Sequence, residues 1–223
     1  MDFALTNPEA NHASRKEAMD RQLVLREEVE AKKEAAAVAA MQLLVHVDPE
    51  GVVRLSDRDL ENTAARAAVK LLLPPPDDFG RVLYVKSLQL DGNRITQLPA
   101  CIGDLADLAT LNLGYNMLAA LPPELCYLPS LQSLYLNNNR LERLPDSVGN
   151  LRALKYLYLD GNKLEAETLP VSLADLGNLE TLWLHNNRSS EGKKLRRLPE
   201  WLSDLLQAER RAALPKLATV RLK

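Results

Sequence analysis

Hydrophobic and polar positions alternate along residues 85–222 in a frame that recurs. The frame is L-x-x-L-x-L-x-x-N-x-L-x-x-L-P-x-x-[IVL]-x-x-L, and its units start at Val85, Leu108, Leu131, Leu154, Leu179 and, for a partial unit, Leu217. The L-x-L part predicts a short strand with its leucines inward and the intervening side chains outward, because strand side chains alternate. The [IVL]-x-x-L part predicts a short helical turn after the proline, whose ring fixes φ. One unit cannot bury its leucines alone, so the stack of units is what is stable.

An asparagine recurs at the end of each predicted strand. It is Asn93, Asn116, Asn139, Asn162 and Asn187, and in the run Asn137 to Asn139 only the third asparagine belongs to the frame. A side-chain amide at this point can hydrogen-bond backbone groups of its own unit and of the neighbouring unit. Left buried and unpaired, each of those backbone groups would cost a few kcal/mol. The sequence therefore predicts a ladder of buried asparagines.

This frame is the signature of leucine-rich repeats. Its 23-residue length and its LPxxIGxL segment resemble the intracellular repeats of Ras-suppressor proteins and of plant intracellular Ras-group leucine-rich-repeat proteins, over residues 85 to about 206. The resemblance implies an α/β solenoid, a horseshoe with a parallel concave sheet. Two units depart from the consensus, with extra residues in "EAET" before Leu169 and in "RSSEGKKLRR" before Leu198.

The residues before the repeats divide into two regions. Residues 1–44 form an N-terminal extension, in which 12–44 lack Gly and Pro and predict a long charged helix. Its last turns are expected to pack on the body, and the alternative is a docking or coiled-coil helix. Residues 45–84 predict a hairpin and then a helix, and residues 85–223 predict the solenoid.

The hairpin is expected to turn at Asp48–Gly51, and the helix to begin from an N-cap at Ser56 or Asp57. One face of this helix is apolar, and three prolines, Pro74 to Pro76, follow it. A solenoid exposes leucines at its open ends. The helix is therefore predicted to cap the N-terminal end.

Aromatic side chains gather at outward strand positions, which face the concave side. The predicted protein-binding residues are Tyr115, Tyr135, Tyr156, Tyr158, Trp183, His185 and Arg221. Tyr and Trp combine a large contact area with a polar group and are enriched in binding hot spots. The alternative is that these rings only pair side by side and stabilise the sheet.

Positive charge gathers near the C-terminal end. Residues 188–223 hold ten Lys or Arg against four acids, although the net charge of the whole chain is −2. The insertion in the fifth unit supplies a secondary basic patch of Arg188, Lys193, Lys194, Arg196 and Arg197. It suits an acidic or phosphate-rich partner surface, and the alternative is a mobile, solvated loop.

Composition narrows the class of protein. The low net charge gives no signal for nucleic acid or a membrane, no apolar run has transmembrane length, and the N-terminus lacks a signal-peptide pattern. The two cysteines, Cys101 and Cys126, lie inside repeats without metal-ligand spacing, which favours a reducing compartment. The predicted location is cytoplasmic, with the cytoskeleton or the axoneme of a cilium or flagellum as the alternative.

The sequence contains no recognisable catalytic motif. The three histidines fall in different regions, and there is no G-x-G-x-x-G or phosphate-binding loop, so no catalytic residue, cofactor or metal is expected. The predicted function is a non-enzymatic protein-interaction module that grips a protein partner with its concave aromatic face. The alternative is a structural subunit of a large multi-protein cytoskeletal or ciliary assembly, anchored partly by the N-terminal helix.

Overall fold

The computed structural model describes residues 8–42, 45–73, 84–189, 191–192, 194–206 and 214–222. Within this part of the chain, seven parallel strands form one sheet in chain order. The strands are β1 Val52–Arg54, β2 Ser87–Gln89, β3 Thr110–Asn112, β4 Ser133–Tyr135, β5 Tyr156–Tyr158, β6 Thr181–Trp183 and β7 Thr219–Arg221. The helices are α1 Pro8–Gln42, α2 Asn62–Leu72 and α3 Glu200–Leu206. The parallel sheet, with helical turns on the other side, confirms the predicted solenoid.

The strands pair in the register that the repeat frame predicts. Their middle residues align as one buried row, Val53, Leu88, Leu111, Leu134, Leu157, Leu182 and Val220, of which only Val220 is partly exposed. In β2 to β6 the first and third residues of each strand are half-exposed on the concave side. The alternation confirms which side chains point outward.

Short 3-10 helices close the convex side of the first four repeats. They span Ala100–Asp104, Pro123–Tyr127, Asp146–Asn150, Ala166–Thr168 and Val171–Asp175. In the main turn of each repeat, the proline of the Leu-Pro pair lies just before the helix, with φ between −59° and −71°. In the fifth repeat, α3 takes this place. Between the two sides, buried leucines form one hydrophobic core that extends from Met41 to Leu217.

The recurrent asparagines form the predicted ladder. All five are buried, with Asn93, Asn116, Asn139, Asn162 and Asn187 each at most 7% exposed. The Asn139 amide nitrogen donates to the carbonyls of Leu113 (2.8 Å) and Leu136 (3.1 Å), and its oxygen accepts from the Leu118 N–H (3.0 Å). Asn116 and Asn162 repeat this arrangement one unit away on either side. The ladder is confirmed.

The residue before each ladder asparagine has a left-handed backbone. Its φ lies between 54° and 68° in all five units, at Gly92, Tyr115, Asn138, Gly161 and Asn186, and Asp57, which precedes Arg58 in the coil before them, has the same conformation with φ of 54°. Glycine and asparagine tolerate this region best. The three asparagines of the run 137–139 therefore differ in kind: Asn139 is the ladder residue, Asn138 makes the turn, and Asn137 points to the concave side.

The segment before the first repeat forms an additional coil of the solenoid. The predicted turn is present, since the Gly51 N–H donates to the Asp48 carbonyl (2.9 Å), and Val47 and Val53 form an antiparallel bridge. However, β1 pairs in parallel with β2 and becomes the first strand of the sheet. The N–H groups of Arg58 (3.1 Å) and Leu60 (2.9 Å) then donate to the Asn93 side chain, which joins this coil to the ladder.

The start of α2 corrects the sequence prediction. The helix begins at Asn62 with Glu61 at the N-cap position, instead of at Ser56 or Asp57. Residues 56–60 form the turn of the additional coil, and the Ser56 hydroxyl donates to the Asp91 carboxylate (2.6 Å). Because this turn uses the positions that seemed suited to a cap, the helix starts one turn later.

Helix α1 packs on α2 by its C-terminal part. Met41 is buried, and Ala37 and Val38 pack against the core. The Glu34 carboxylate forms ion pairs with Lys70 and Arg66 of α2, and the hydrogen bond from Lys70 lowers the pKa of Glu34. No helix in the described part of the chain is both long and apolar enough to cross a membrane.

Candidate functional site

Three outward rings on adjacent strands form an aromatic ladder, which we define as Tyr135, Tyr158 and Trp183. The register of β4, β5 and β6 aligns these residues side by side. Tyr135 and Tyr158 stack with centroids 4.7 Å apart and planes 4° from parallel, and Tyr158 meets Trp183 edge-on at 4.8 Å. The Arg221 guanidinium lies 5.3 Å from the centre of the Trp183 ring. The strand spacing itself produces these contacts.

Two further predicted residues lie beside the aromatic ladder. His185 meets Trp183 with centroids 5.6 Å apart. Tyr156 lies in the next column, where its hydroxyl donates to the Glu180 carboxylate (3.1 Å), and this hydrogen bond raises the pKa of Tyr156. Burial raises the pKa of Tyr158. Both shifts widen the pH range over which the phenols of Tyr156 and Tyr158 stay neutral.

The N-terminal half of the concave face satisfies its own polar groups. Gln89 donates to the Ser87 hydroxyl (2.8 Å), and Asn112 donates to Gln89 (3.0 Å) and to the Asp91 carboxylate (3.0 Å). Asp91 also accepts from Ser56. A polar network of this kind is complete without a ligand.

The C-terminal half contains polar atoms without partners. Asp160 Oδ1, Trp183 Nε1 and His185 Nδ1 are buried and make no hydrogen bond to the described part of the protein. We call these three residues the polar trio. His185 Nε2 lies 3.8 Å from Asp160 Oδ2. Buried polar atoms are nearly always paired in folded proteins, so these three atoms would gain hydrogen bonds if their half-exposed side chains turned toward a bound molecule. Asp160 was not among the residues predicted to bind.

Tyr115 lies apart from the aromatic ladder and carries backbone strain. It is 64% exposed and has φ of 55°, which is unfavourable for a bulky side chain. Strained residues persist where the surrounding structure fixes them, and they cluster at functional sites. The structure thus sets Tyr115 outside the stack, at the turn that follows β3.

Replacing Tyr115 with glycine is expected to raise the free energy of unfolding by about 1 kcal/mol, because glycine adopts positive φ without a Cβ penalty. Urea denaturation measures this change. Tyr127→Gly is the matched control, since Tyr127 is 63% exposed and its φ is not positive. A gain of the same size in the control would refute the strain argument.

The insertion of the fifth unit folds back on itself. We call residues 188–197 the basic hairpin; Ser190 and Lys193, the second of which is one of the predicted cations, lie outside the described residues. Arg188 and Lys194 form an antiparallel bridge, and the Leu195 N–H donates to the Asn187 carbonyl (3.0 Å). Leu195 is only 7% exposed. The hairpin is therefore anchored to the ladder end of the fifth repeat.

Metal binding and cysteine chemistry find little support in the described structure. Among the described residues, no cluster of three or more His, Cys, Asp or Glu is placed to hold a metal ion. Both cysteines are free thiols, and burial raises the pKa of Cys101 and of Cys126. Thiols with raised pKa are poor nucleophiles, so neither cysteine is prepared for catalysis.

Known proteins share the repeats and the fold. The family "Leucine rich repeat" matches residues 108–164 and 129–188. A leucine-rich-repeat protein of Leptospira interrogans has a similar structure, with 28% identity and a TM-score of 0.55 over 76% of this chain and 42% of that one. The plant peptide hormone receptor RGFR1, solved in complex with RGF2, shows 28% identity and a TM-score of 0.54 over 80% of this chain and 25% of the receptor. No curated protein matches significantly.

Proposed function

We propose that this leucine-rich-repeat protein is a non-enzymatic interaction module that binds a protein partner on the C-terminal half of its concave face. The observation that carries the proposal is the polar trio beside the aromatic ladder. The polar network of the N-terminal half needs no ligand, whereas the trio leaves an indole N–H, an imidazole nitrogen and a carboxylate oxygen unpaired in side chains that are themselves half-exposed.

The polar trio and the aromatic ladder are energetically suited to lie at the centre of an interface. A buried polar atom without a partner costs about 1–3 kcal/mol, and a side-chain rotation that brings the atom to a partner's hydrogen-bonding group removes that cost. Tyr and Trp add large, rigid contact areas that lose little conformational entropy on binding. Rings in contact with unsatisfied donors and acceptors therefore form a surface on which a backbone or an amide side chain would bind.

Structural neighbours are consistent with a peptide-like partner. The receptor RGFR1 is solved in complex with RGF2, and this chain spans only a quarter of that receptor. The consensus resemblance to Ras-suppressor and plant Ras-group repeat proteins rests on the sequence. A cytoplasmic location for the module agrees with its two free cysteines, since thiols are kept reduced there.

A structural role in a larger cytoskeletal or ciliary assembly is the second candidate, and one observation favours it. The first part of α1 exposes apolar side chains, including Met19 (68%), Leu23 (56%) and Val29 (50%). Exposed apolar surface of this extent marks interaction sites. In such an assembly α1 would contribute to the contact in addition to the concave face.

The test is proximity cross-linking and affinity purification of the full chain from its own cells. The variant Tyr135→Ala/Tyr158→Ala/Trp183→Ala is expected to lose the main partner by at least about 30-fold, because each ring is a hot-spot candidate worth about 2 kcal/mol. Tyr84→Ala/Tyr127→Ala is the control, since both tyrosines are more than 60% exposed away from the aromatic ladder. Circular dichroism confirms that each variant folds.

A second pair of substitutions separates the two candidate roles. Leu23→Glu/Val29→Glu places two charges within the exposed apolar part of α1 and leaves the concave face intact. If the ring variant keeps every partner while the α1 variant loses them, the concave-face proposal is wrong and the assembly role is favoured.

A further inference from the structure

The two sides of the basic hairpin differ in charge. On one side is an open groove lined by Asn186, Asn187, Arg188, Lys194, Leu195, Arg196 and Leu222. This lining contains three cations and no acid. Leu195 and Leu222 provide its apolar part. We call it the cationic groove.

The other side of the hairpin is partly neutralised. A second groove is lined by Glu165, Ala166 and Glu167 together with Lys194, Leu195, Arg196 and Arg197. The two glutamates come from the insertion of the fourth unit. The two departures from the repeat consensus thus lie side by side, and their charges oppose an anion on this side of the hairpin.

The backbone that carries the cations of the groove is fixed, and these cations form no ion pair with another described residue. The bridge between Arg188 and Lys194 and the burial of Leu195 fix the backbone. Among the ion pairs between described residues, none includes Arg188, Lys194 or Arg196. A fixed cluster of like charges raises the local potential and favours an anionic ligand.

The cationic groove continues the concave surface. Asn186 directly follows His185 of the polar trio, and Leu222 directly follows Arg221, whose guanidinium lies over Trp183. An extended segment that crosses the aromatic ladder therefore reaches the groove within a few residues, since each extended residue advances about 3.3 Å.

We propose that the cationic groove binds an acidic peptide segment of the protein partner, adjacent to the segment on the aromatic ladder. This rests on the proposed function. Carboxylates would pair with Arg188, Lys194 and Arg196, and the peptide's carbon chains would contact Leu195 and Leu222. Three cations in a short groove suit a peptide, whereas nucleic acid binding relies on many phosphate contacts along an extended basic surface.

The test uses a fluorescein-labelled octaglutamate peptide and the full-length protein, with binding measured by anisotropy. Wild type is expected to bind at low salt, and Arg188→Glu/Arg196→Glu is expected to weaken binding at least about 10-fold, because charge pairs across an interface are reversed. Arg21→Glu/Arg26→Glu is the matched control: it makes the same change of net charge at exposed positions of α1, which packs on α2 at the other end of the solenoid. Its effect should stay below about 3-fold.

Several outcomes would overturn the proposal. These are no octaglutamate binding by wild type, equal losses in the two charge-reversal variants, or stronger binding to duplex DNA or to phosphatidylserine vesicles than to octaglutamate. The Tyr135→Ala/Tyr158→Ala/Trp183→Ala variant separates the two proposals. If it loses the main cellular partner while charge reversal at Arg188 and Arg196 leaves octaglutamate binding unchanged, the concave-face function stands and the acidic-segment inference fails.

Discussion

Asn139→Ala is expected to lower the free energy of unfolding by about 3 kcal/mol, because it leaves a buried N–H unpaired and weakens two buried carbonyls. The Leu118 N–H loses its acceptor, the Asn139 side-chain oxygen. The carbonyls of Leu113 and Leu136 each lose one donor but keep the amide of the adjacent ladder asparagine, Asn116 or Asn162. Most of the lost free energy of unfolding therefore comes from the Leu118 N–H, which is left without an acceptor in a site that is closed to water.

The neighbouring asparagines supply the controls for this experiment. Asn137→Ala is expected to change stability by less than about 0.5 kcal/mol, as is usual for surface positions, since Asn137 is half-exposed and its side chain makes no hydrogen bond in the described structure. Asn138→Gly should be neutral or slightly stabilising, because the residue has φ of 54°. Urea denaturation of the three variants gives the comparison. Equal losses at all three positions would contradict the ladder argument.

The repeat frame predicted the sheet well because its signals are local and recur. Leucine spacing fixed which side chains point inward, and the asparagine position fixed the turn, so register and ladder followed without any long-range information. The additional coil at residues 45–73 was not predicted, because its sequence lacks this recurring frame. Arg58 occupies the position of the ladder asparagine there, and its N–H instead donates to Asn93 of the next unit.

The sequence predicted where the residues of the candidate site lie, but not which of their polar atoms are hydrogen-bonded. The outward columns gave the rings of the aromatic ladder directly. Asp91 and Asp160 occupy the same column, yet Asp91 accepts hydrogen bonds from Ser56 and Asn112 while one oxygen of Asp160 has no partner in the described structure. Only the neighbouring coils decide this difference. Likewise, the uneven charge of the basic hairpin depends on Glu165 and Glu167, which belong to a different unit.

Val53→Asp is expected to destabilise the protein by about 4 kcal/mol, because it buries an unpaired carboxylate in the core. Val53 is fully buried at the centre of β1, aligned with Leu88 of β2. If residues 45–73 are an integral coil, the loss should spread to the first repeat and shift the whole unfolding transition, since neighbouring coils stabilise one another. The loss should shrink at low pH, where a buried carboxyl group binds a proton and becomes neutral.

Val52→Asp is the matched control, since it makes the same substitution one residue earlier on the concave side, where Val52 is half-exposed. Its cost should stay below about 1 kcal/mol, because the carboxylate keeps contact with water. In urea unfolding, tryptophan fluorescence reports on the C-terminal half, because Trp183 lies in β6, five strands from β1, and Trp201 lies in α3, whereas circular dichroism reports on the whole protein. If Val53→Asp leaves the tryptophan transition unchanged, the first coil is an independent appendage, and the stability of the repeats does not depend on it.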